Sequence, residues 1–245
     1  MNKHKIDILI SPKNIDEAKI VIKAKSVKYI DCKNPFEGSL GANFPWVIHE
    51  MKKLLSLNGS QLLSATIGDF PNLPGSASLA ALGAVVAGAD IIKVGLLGPN
   101  NIEQGVYLMK NVVKAVKDYD ENVKIVTAGY ADKARMDGSP DFMSIPTIAA
   151  DSGSDIAMLD TYIKDGKGLF DFLSVNQLIQ FRKKAKEFNL KVALAGNLMK
   201  KDMPDIRKIS PDIIGVRSLV CDGYDRNNGL IREYLIEELE KELYK

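Results

Sequence analysis

Histidine and cysteine are both scarce in this chain, with 2 of each among 245 residues. Two cysteines, Cys32 and Cys221, cannot build a disulfide framework or a four-thiolate zinc site. We read them as free thiols of a reducing compartment. Two histidines exclude a histidine-rich metal centre and leave no workable Ser-His-Asp or Cys-His arrangement. His4 falls in the polar start of the chain and His49 in a predicted helix, and both are read as structural or solvated. Neither sign of charge dominates: 33 basic residues stand against 31 acidic ones, for a net charge of +2. No global field therefore argues for a nucleic-acid or membrane partner. No charged-then-apolar leader pattern opens the chain. The most apolar stretch, Ala77 to Leu97, is broken by Asp90 and Lys93 and reads as helix, turn and strand rather than a membrane span. Walker and G-x-G-x-x-G patterns are missing as well. The expectation is a cytoplasmic protein that binds no metal.

What is present is a repeated alternation. Short β-like runs occur at 6–10, 27–32, 61–67, 90–96, 124–128, 155–160, 191–195 and 212–216. Helical patterns follow them at 15–24, with Asn14 as N-cap, then at 45–56, 76–87, 102–117, 145–152, 174–188, 201–208 and 230–243. In 102–117 the apolar positions Val106, Met109, Val113 and Val116 recur at helical spacing. Strands alternating with helices imply a parallel sheet. Eight units in this length favour a closed (β/α)8 TIM barrel over an open doubly wound sheet. No linker, low-complexity segment or charge block divides residues 1–245, so we expect a single barrel domain.

Chemistry in a barrel collects at the carboxyl ends of the strands. Tyr29 to Asn43, YIDCKNPFEGSLGAN, places Asp31 and Lys33 two residues apart at such an end. Side chains two apart on a strand share a face, so Cys32 points the other way. A surface salt bridge is the plainer reading of that pair. Lys93 sits inside the apolar run IIKVGL. Either it faces the barrel interior, or its stem lies along the sheet with its head in water. Asp160, with Lys164 four residues on, follows the sixth run. Asp69, Asp132 and Arg217 stand after the third, fifth and eighth. Lysines and carboxylates gathered at one end suit amine attack on a carbonyl, with the carboxylates moving protons. Gly196-Asn197 and Gly215-Val216-Arg217-Ser218 fit the phosphate-binding loops that barrels carry after strands seven and eight, though glycine at a strand end is also ordinary turn chemistry. Arg217 is the expected bidentate phosphate contact.

The strings IDCKNPFEGSLGANFPWVI, SATIGDFPNLPGSASLAALGA, GADIIKVGL, AGYAD, DSGSDIAMLDTYIKDGKGLFDF, KVALAGNL and GVRSLVCDGYDRNNG run in order over nearly the whole chain. Together they resemble the (5-formylfuran-3-yl)methyl phosphate synthase family. That resemblance implies a (β/α)8 barrel in methanofuran biosynthesis. It also implies condensation of two glyceraldehyde 3-phosphate molecules to 4-(hydroxymethyl)-2-furancarboxaldehyde phosphate, with loss of phosphate and water and no cofactor. It further implies that Lys33 of the D-x-K-N-P motif is the Schiff-base lysine, beside Asp31, with Lys93, Asp160 and Lys164 completing the charged site. The sequence departs from the family pattern at KSVKYI before Asp31, at AGN after the seventh run, and at GYDR in 223–226, where GGDR is expected.

The expected protein is thus a cofactor-independent lyase acting on triose phosphate and associating with copies of itself. Its catalytic set is Lys33, Asp31, Lys93, Asp160 and Lys164. Its phosphate set is Gly196, Asn197, Gly215, Arg217 and Ser218. Two rivals are another Schiff-base triose-phosphate aldolase, and a non-catalytic barrel that binds sugar phosphates.

Overall fold

Eight short runs rich in Ile, Val, Leu and Ala form eight parallel strands. They are β1 (Asp7–Ile10), β2 (Val27–Cys32), β3 (Leu62–Phe70), β4 (Ile91–Leu96), β5 (Lys124–Tyr130), β6 (Ile156–Asp160), β7 (Lys191–Leu194) and β8 (Ile213–Val216). Each pairs with the next and β8 pairs with β1, so the sheet closes and leaves no edge strand. The structure is a computed structural model that describes residues 5–57 and 60–245; His4 lies outside the described residues, and His49 is exposed. Helices α1 (Ile15–Lys23), α2 (Pro45–Ser56), α3 (Pro74–Val86), α4 (Ile102–Lys117) and α5 (Ile145–Ser152) cover the first five strands. After β6 come α6 (Leu169–Phe172) and α7 (Val175–Glu187), then α8 (Met203–Ile209) and α9 (Glu233–Leu243).

Local chemistry explains where these elements start and stop. Asn14 caps α1 as expected, its side chain accepting the Glu17 N–H at 2.9 Å. Helix α3 starts at Pro74 rather than Ser76, because proline's fixed φ and missing N–H suit the first helical turn. At the other end, α9 starts three residues later than expected. Ile231 pairs as a β-bridge with Cys221, which holds 230–232 extended. Strands β3 and β5 run on to Phe70 and Tyr130, so Asp69 lies within a strand and not after it. The short α6 falls in a loop where no helix was expected.

Three aspartates expected to begin strands instead stand one residue before them. Asp90, Asp155 and Asp212 precede β4, β6 and β8; their N–H groups donate to the Leu63, Ile125 and Val192 carbonyls at 2.9, 2.9 and 3.0 Å, and their side chains add a second bond to the same neighbouring strand. Each carboxylate accepts an N–H from the preceding strand: Leu63 at 2.8 Å, Ile125 at 2.9 Å and Val192 at 2.8 Å. Each also meets a lysine: Lys52 at 2.6 Å, Lys124 at 3.2 Å and Lys186 at 2.8 Å. The amino end of the barrel is thereby tied off by side chains that satisfy backbone donors.

Two apolar layers hold the fold. Outward-facing residues such as Ile30, Cys32, Ile92, Val94 and Leu159 pack against the helices. Inward-facing ones, among them Leu9, Tyr29, Ile91, Val126, Met158 and Ile213, fill the barrel's interior. The period of two along each strand decides which layer a residue joins. Among the described residues, no helix is long and apolar enough to cross a membrane.

Candidate active site

Along β2, Tyr29 faces inward and Ile30 outward, and the alternation carries Asp31 inward, Cys32 outward and Lys33 inward. Cys32 is sealed in the outer layer, where burial, with the Asp31 charge, pushes its thiol up to about 12 and leaves it inert. Asp31 is almost fully buried, as is Lys93 from β4. Lys93 Nζ lies 2.7 Å from Asp31 Oδ1, and Ser11 Oγ donates to Asp31 Oδ2 at 2.8 Å. Lys93 thus faces the interior, between the outward Ile92 and Val94. A second pair stands across the mouth. Lys164 Nζ lies 2.7 Å from Asp160 Oδ1, and the same oxygen accepts the Thr161 N–H at 2.7 Å. Burial pushes the Asp160 carboxyl up, but Lys164, Lys33 and these hydrogen bonds outweigh it and hold it at about 2.

Lys33 differs from both neighbouring lysines. Among the described residues no carboxylate lies within 4.0 Å of its amine. Its hydrogen bond is a long one, 3.5 Å to the Ser39 carbonyl. Burial lowers its pKa to about 8, with the Lys164 and Lys93 charges adding to that and Asp160 and Asp31 opposing it. At pH 7 about a tenth of such amines are neutral, against a few in ten thousand for an ordinary lysine. An amine that is free of a carboxylate and partly deprotonated is poised to add to a carbonyl.

The loop after β2 lies across one side of the mouth. Ser39 Oγ donates to the Thr161 carbonyl at 2.8 Å, and Thr66 Oγ1 to the Gly41 carbonyl at 2.6 Å. Leu40 is fully buried among the inward-facing residues. Its N–H donates to Asp69 Oδ2 at 3.3 Å, and Tyr130 Oη donates to Asp69 Oδ1. Gly95 of β4 is required beneath this cluster, because a Cβ there would collide with Tyr130 Oη and Asp69 Oδ1. Asp69 therefore anchors the loop and does not line the cavity. Asp132 is also structural: its two oxygens accept the Tyr162 and Ile163 N–H groups at 2.6 and 3.0 Å and shape the β6 loop.

About 460 Å³ of space free of protein atoms remains here, open solvent at the mouth included. It is lined by Asp31, Lys33, Lys93, Asp160 and Lys164, and by Gly196, Asn197, Gly215, Arg217 and Ser218. Gly196 has φ +103°, and a Cβ there would press on Thr161. Asn197 adopts φ +45°, which asparagine tolerates well, and its side chain donates to the Gly166 carbonyl at 2.6 Å. Among the described residues, the N–H groups of Gly196, Asn197 and Ser218 donate to no protein acceptor.

Arg217 reaches the cavity wall, but its donors are engaged. Nη1 donates to Glu17 Oε2 and to the Ser11 carbonyl, each at 2.8 Å; Nη2 donates to Glu17 Oε1 at 3.3 Å, and Nε to the Arg226 carbonyl at 2.9 Å. The expected bidentate phosphate contact is thus occupied by a buried glutamate of α1. Arg226, from the expected GGDR position, was not singled out from the sequence, yet it lines the cavity. The motif GYDR was the available signal. Tyr130 was missed too, since a tyrosine ending a strand carries no mark of its partner.

A closed β/α barrel with a lysine-bearing cavity at the carboxyl ends of its strands defines the class: a TIM-barrel protein with an enzyme-like site. A family model described as 4-HFC-P synthase matches residues 8–240. The (5-formylfuran-3-yl)methyl phosphate synthase of Methanocaldococcus jannaschii is 52% identical over 238 residues, covering 97% of this chain and 99% of that protein. Its namesake from Archaeoglobus fulgidus is 49% identical over 234 residues, covering 95% and 97%. The chain belongs to the 4-HFC-P synthase family and is an enzyme of the lyase class. Among solved structures, 3-hexulose-6-phosphate synthase superposes with a TM-score of 0.66 at 16% identity, covering 97% of this chain and 100% of that one. Orotidine 5'-monophosphate decarboxylase from Methanocaldococcus jannaschii gives 0.62 at 17%, covering 98% and 100%. These two bear on the fold alone.

Proposed function

We propose that this enzyme condenses two molecules of glyceraldehyde 3-phosphate into 4-(hydroxymethyl)-2-furancarboxaldehyde phosphate, for methanofuran biosynthesis in the cytoplasm. The observation that carries the reading is Lys33: in a cavity where Lys93 and Lys164 are each neutralised by an aspartate, it alone of the three lacks a carboxylate partner. Its amine adds to the carbonyl of one triose phosphate and loses water to give an iminium. Loss of a neighbouring C–H proton gives an enamine, whose carbon attacks the aldehyde of the second molecule. Elimination of one phosphate, ring closure and dehydration then yield the furan, and water releases Lys33. Overall the two substrates lose one phosphate and two waters, with no net oxidation. Asp31 and Asp160 move the protons, each carboxylate lying 2.7 Å from a lysine amine of the cavity. Lys93 and Lys164 stabilise oxyanion and phosphate charge around them. The unengaged N–H groups of Gly196, Asn197 and Ser218 offer a phosphate cradle.

The test is to mix the protein with glyceraldehyde 3-phosphate alone and follow the ultraviolet spectrum together with released phosphate. A furan-aldehyde band rising with one phosphate per product is the expected result. Lys33→Ala should slow it by about 10⁴-fold, or about 5 kcal/mol of transition-state stabilisation, and abolish borohydride trapping at that position. Consumption of substrate with no aromatic band would point to a simple aldolase instead. Phosphate binding without turnover would point to a binding protein.

A further inference from the structure

Of the four cationic side chains that reach the inner cavity on or just after β2, β4, β6 and β8, three are paired: Lys93 with Asp31, Lys164 with Asp160, and Arg217 with Glu17. Lys33 is the fourth, and is itself partly neutral. A fifth cation reaches the cavity from the loop beyond β8. Arg226 is partly buried, and among the described residues its guanidinium makes no hydrogen bond and no ion pair within 4.0 Å. A guanidinium stays protonated at any ordinary pH, so its charge is permanent. Burying a permanent charge without a partner is costly, and an anion from solution removes that cost.

The setting of Arg226 is specific. It lines the inner cavity together with Lys33 and Lys164. It also lines an adjoining depression that shares Lys164, Asn197 and Ser218 with that cavity and opens outward. Arg226 therefore stands at the threshold between the reacting amine and solvent. Its backbone is held firmly, since Arg217 Nε donates to its carbonyl at 2.9 Å while Glu17 fixes Arg217. Next in the chain, the Asp225 carboxylate accepts the N–H groups of Asn227 and Asn228 at 2.8 and 3.2 Å and closes a tight turn. Tyr224 holds φ +57°, a strained conformation for a bulky residue. The two arginines after β8 thus divide the work: one positions the loop, and the other leaves its guanidinium to a ligand.

We propose that Arg226 is the specificity-determining arginine of this enzyme, binding the phosphate of a short phosphorylated aldehyde at the threshold of the Lys33 cavity, with Arg217 as its positioning residue. The proposal rests on the reading of Lys33 as the amine that meets an aldehyde. A planar guanidinium pairs two N–H groups with two phosphate oxygens. An aldehyde without phosphate gains nothing from it.

The experiment compares wild type with Arg226→Gln and Arg226→Lys. Inorganic phosphate is titrated into each protein by calorimetry. Borohydride trapping at Lys33 is then measured with glyceraldehyde 3-phosphate and with glyceraldehyde, and thermal unfolding checks that the variants fold. Expected are a tenfold or greater loss of phosphate affinity in R226Q, an intermediate loss in R226K, and collapse of the trapping preference for the phosphorylated aldehyde. Folded R226Q that keeps wild-type phosphate affinity and preference overturns the proposal. The furan assay is read separately. Loss of phosphate binding in R226Q sustains Arg226 even where no furan forms, and intact phosphate binding in R226Q refutes it even where furan does form.

Discussion

The two ends of this barrel use the same pair of residue types to opposite effect. At the amino end Asp90, Asp155 and Asp212 each meet a lysine, with both partners partly in water, and each carboxylate also accepts a strand N–H. At the carboxyl end Asp31 and Lys93 are both withdrawn from water, and so is Asp160, whose partner Lys164 is part-exposed. Exposed, such a pair contributes little beyond the backbone donor it satisfies. Buried, it holds two charges that cannot be relieved by solvent, so any change in one partner is felt by the other. The pairs that tie off the strands and the pairs that line the cavity differ in burial, not in residue type.

Breaking one buried partner gives the largest expected effect. Lys93→Met leaves Asp31 as an uncompensated buried charge and should destabilise the protein by about 3 kcal/mol in urea unfolding. The double variant Asp31→Asn, Lys93→Met should recover most of that, while furan formation remains lost in both. If Lys93→Met unfolds like wild type, the pair is not desolvated as described. At the other end, Asp90→Ala removes the acceptor of the Leu63 N–H and should cost about 2 kcal/mol in the same measurement, with turnover per folded molecule unchanged. A loss of turnover there would erase the distinction between the two ends.

The smallest effect is one of pH. Burial depresses the folded-state pKa of Lys33 to about 8, so neutral amine accumulates as pH rises through that value. The initial rate of borohydride-trapped adduct should climb about tenfold between pH 6 and 7, which is 1.4 kcal/mol, and level off above about 9. Stability carries the matching sign: between about 8 and the ordinary lysine value the unfolded chain binds the extra proton, so this group's contribution grows as pH rises and is lost as pH falls through about 8. A trapping rate flat from pH 6 to 9 would mean that Lys33 is not the titrating amine.

Much of this arrangement was legible in the chain. The period of two put Asp31 and Lys33 on one face and Cys32 on the other, and of the two orientations open to Lys93 the structure shows the inward one, between outward Ile92 and Val94. Asp160 and Lys164, four apart, met as an i,i+4 pair. The roles of Arg217 and Arg226 were not legible. The deciding residue, Glu17, lies 200 positions away in α1, and only closure of β8 against β1 brings it near. Asp69 looked like Asp160 in sequence, both being aspartates near a strand end. Tyr130 and Leu40 made it an anchor, and neither contact has a local signature. Asp90, Asp155 and Asp212 each precede an apolar run, and side-chain acceptors there leave the same pattern as a strand's first residue.

Leu40 and its tether to Thr161 have one more consequence. Among the described residues, the cavity receives no side chain from β3 or β5, and the β2 loop covers that half of the mouth. The mouth opens beside Arg226, which also lines the outer depression. On the reading proposed above, a first substrate held at Lys33 would lie deeper than a second one arriving past Arg226. The shape of the site would then set the order of arrival.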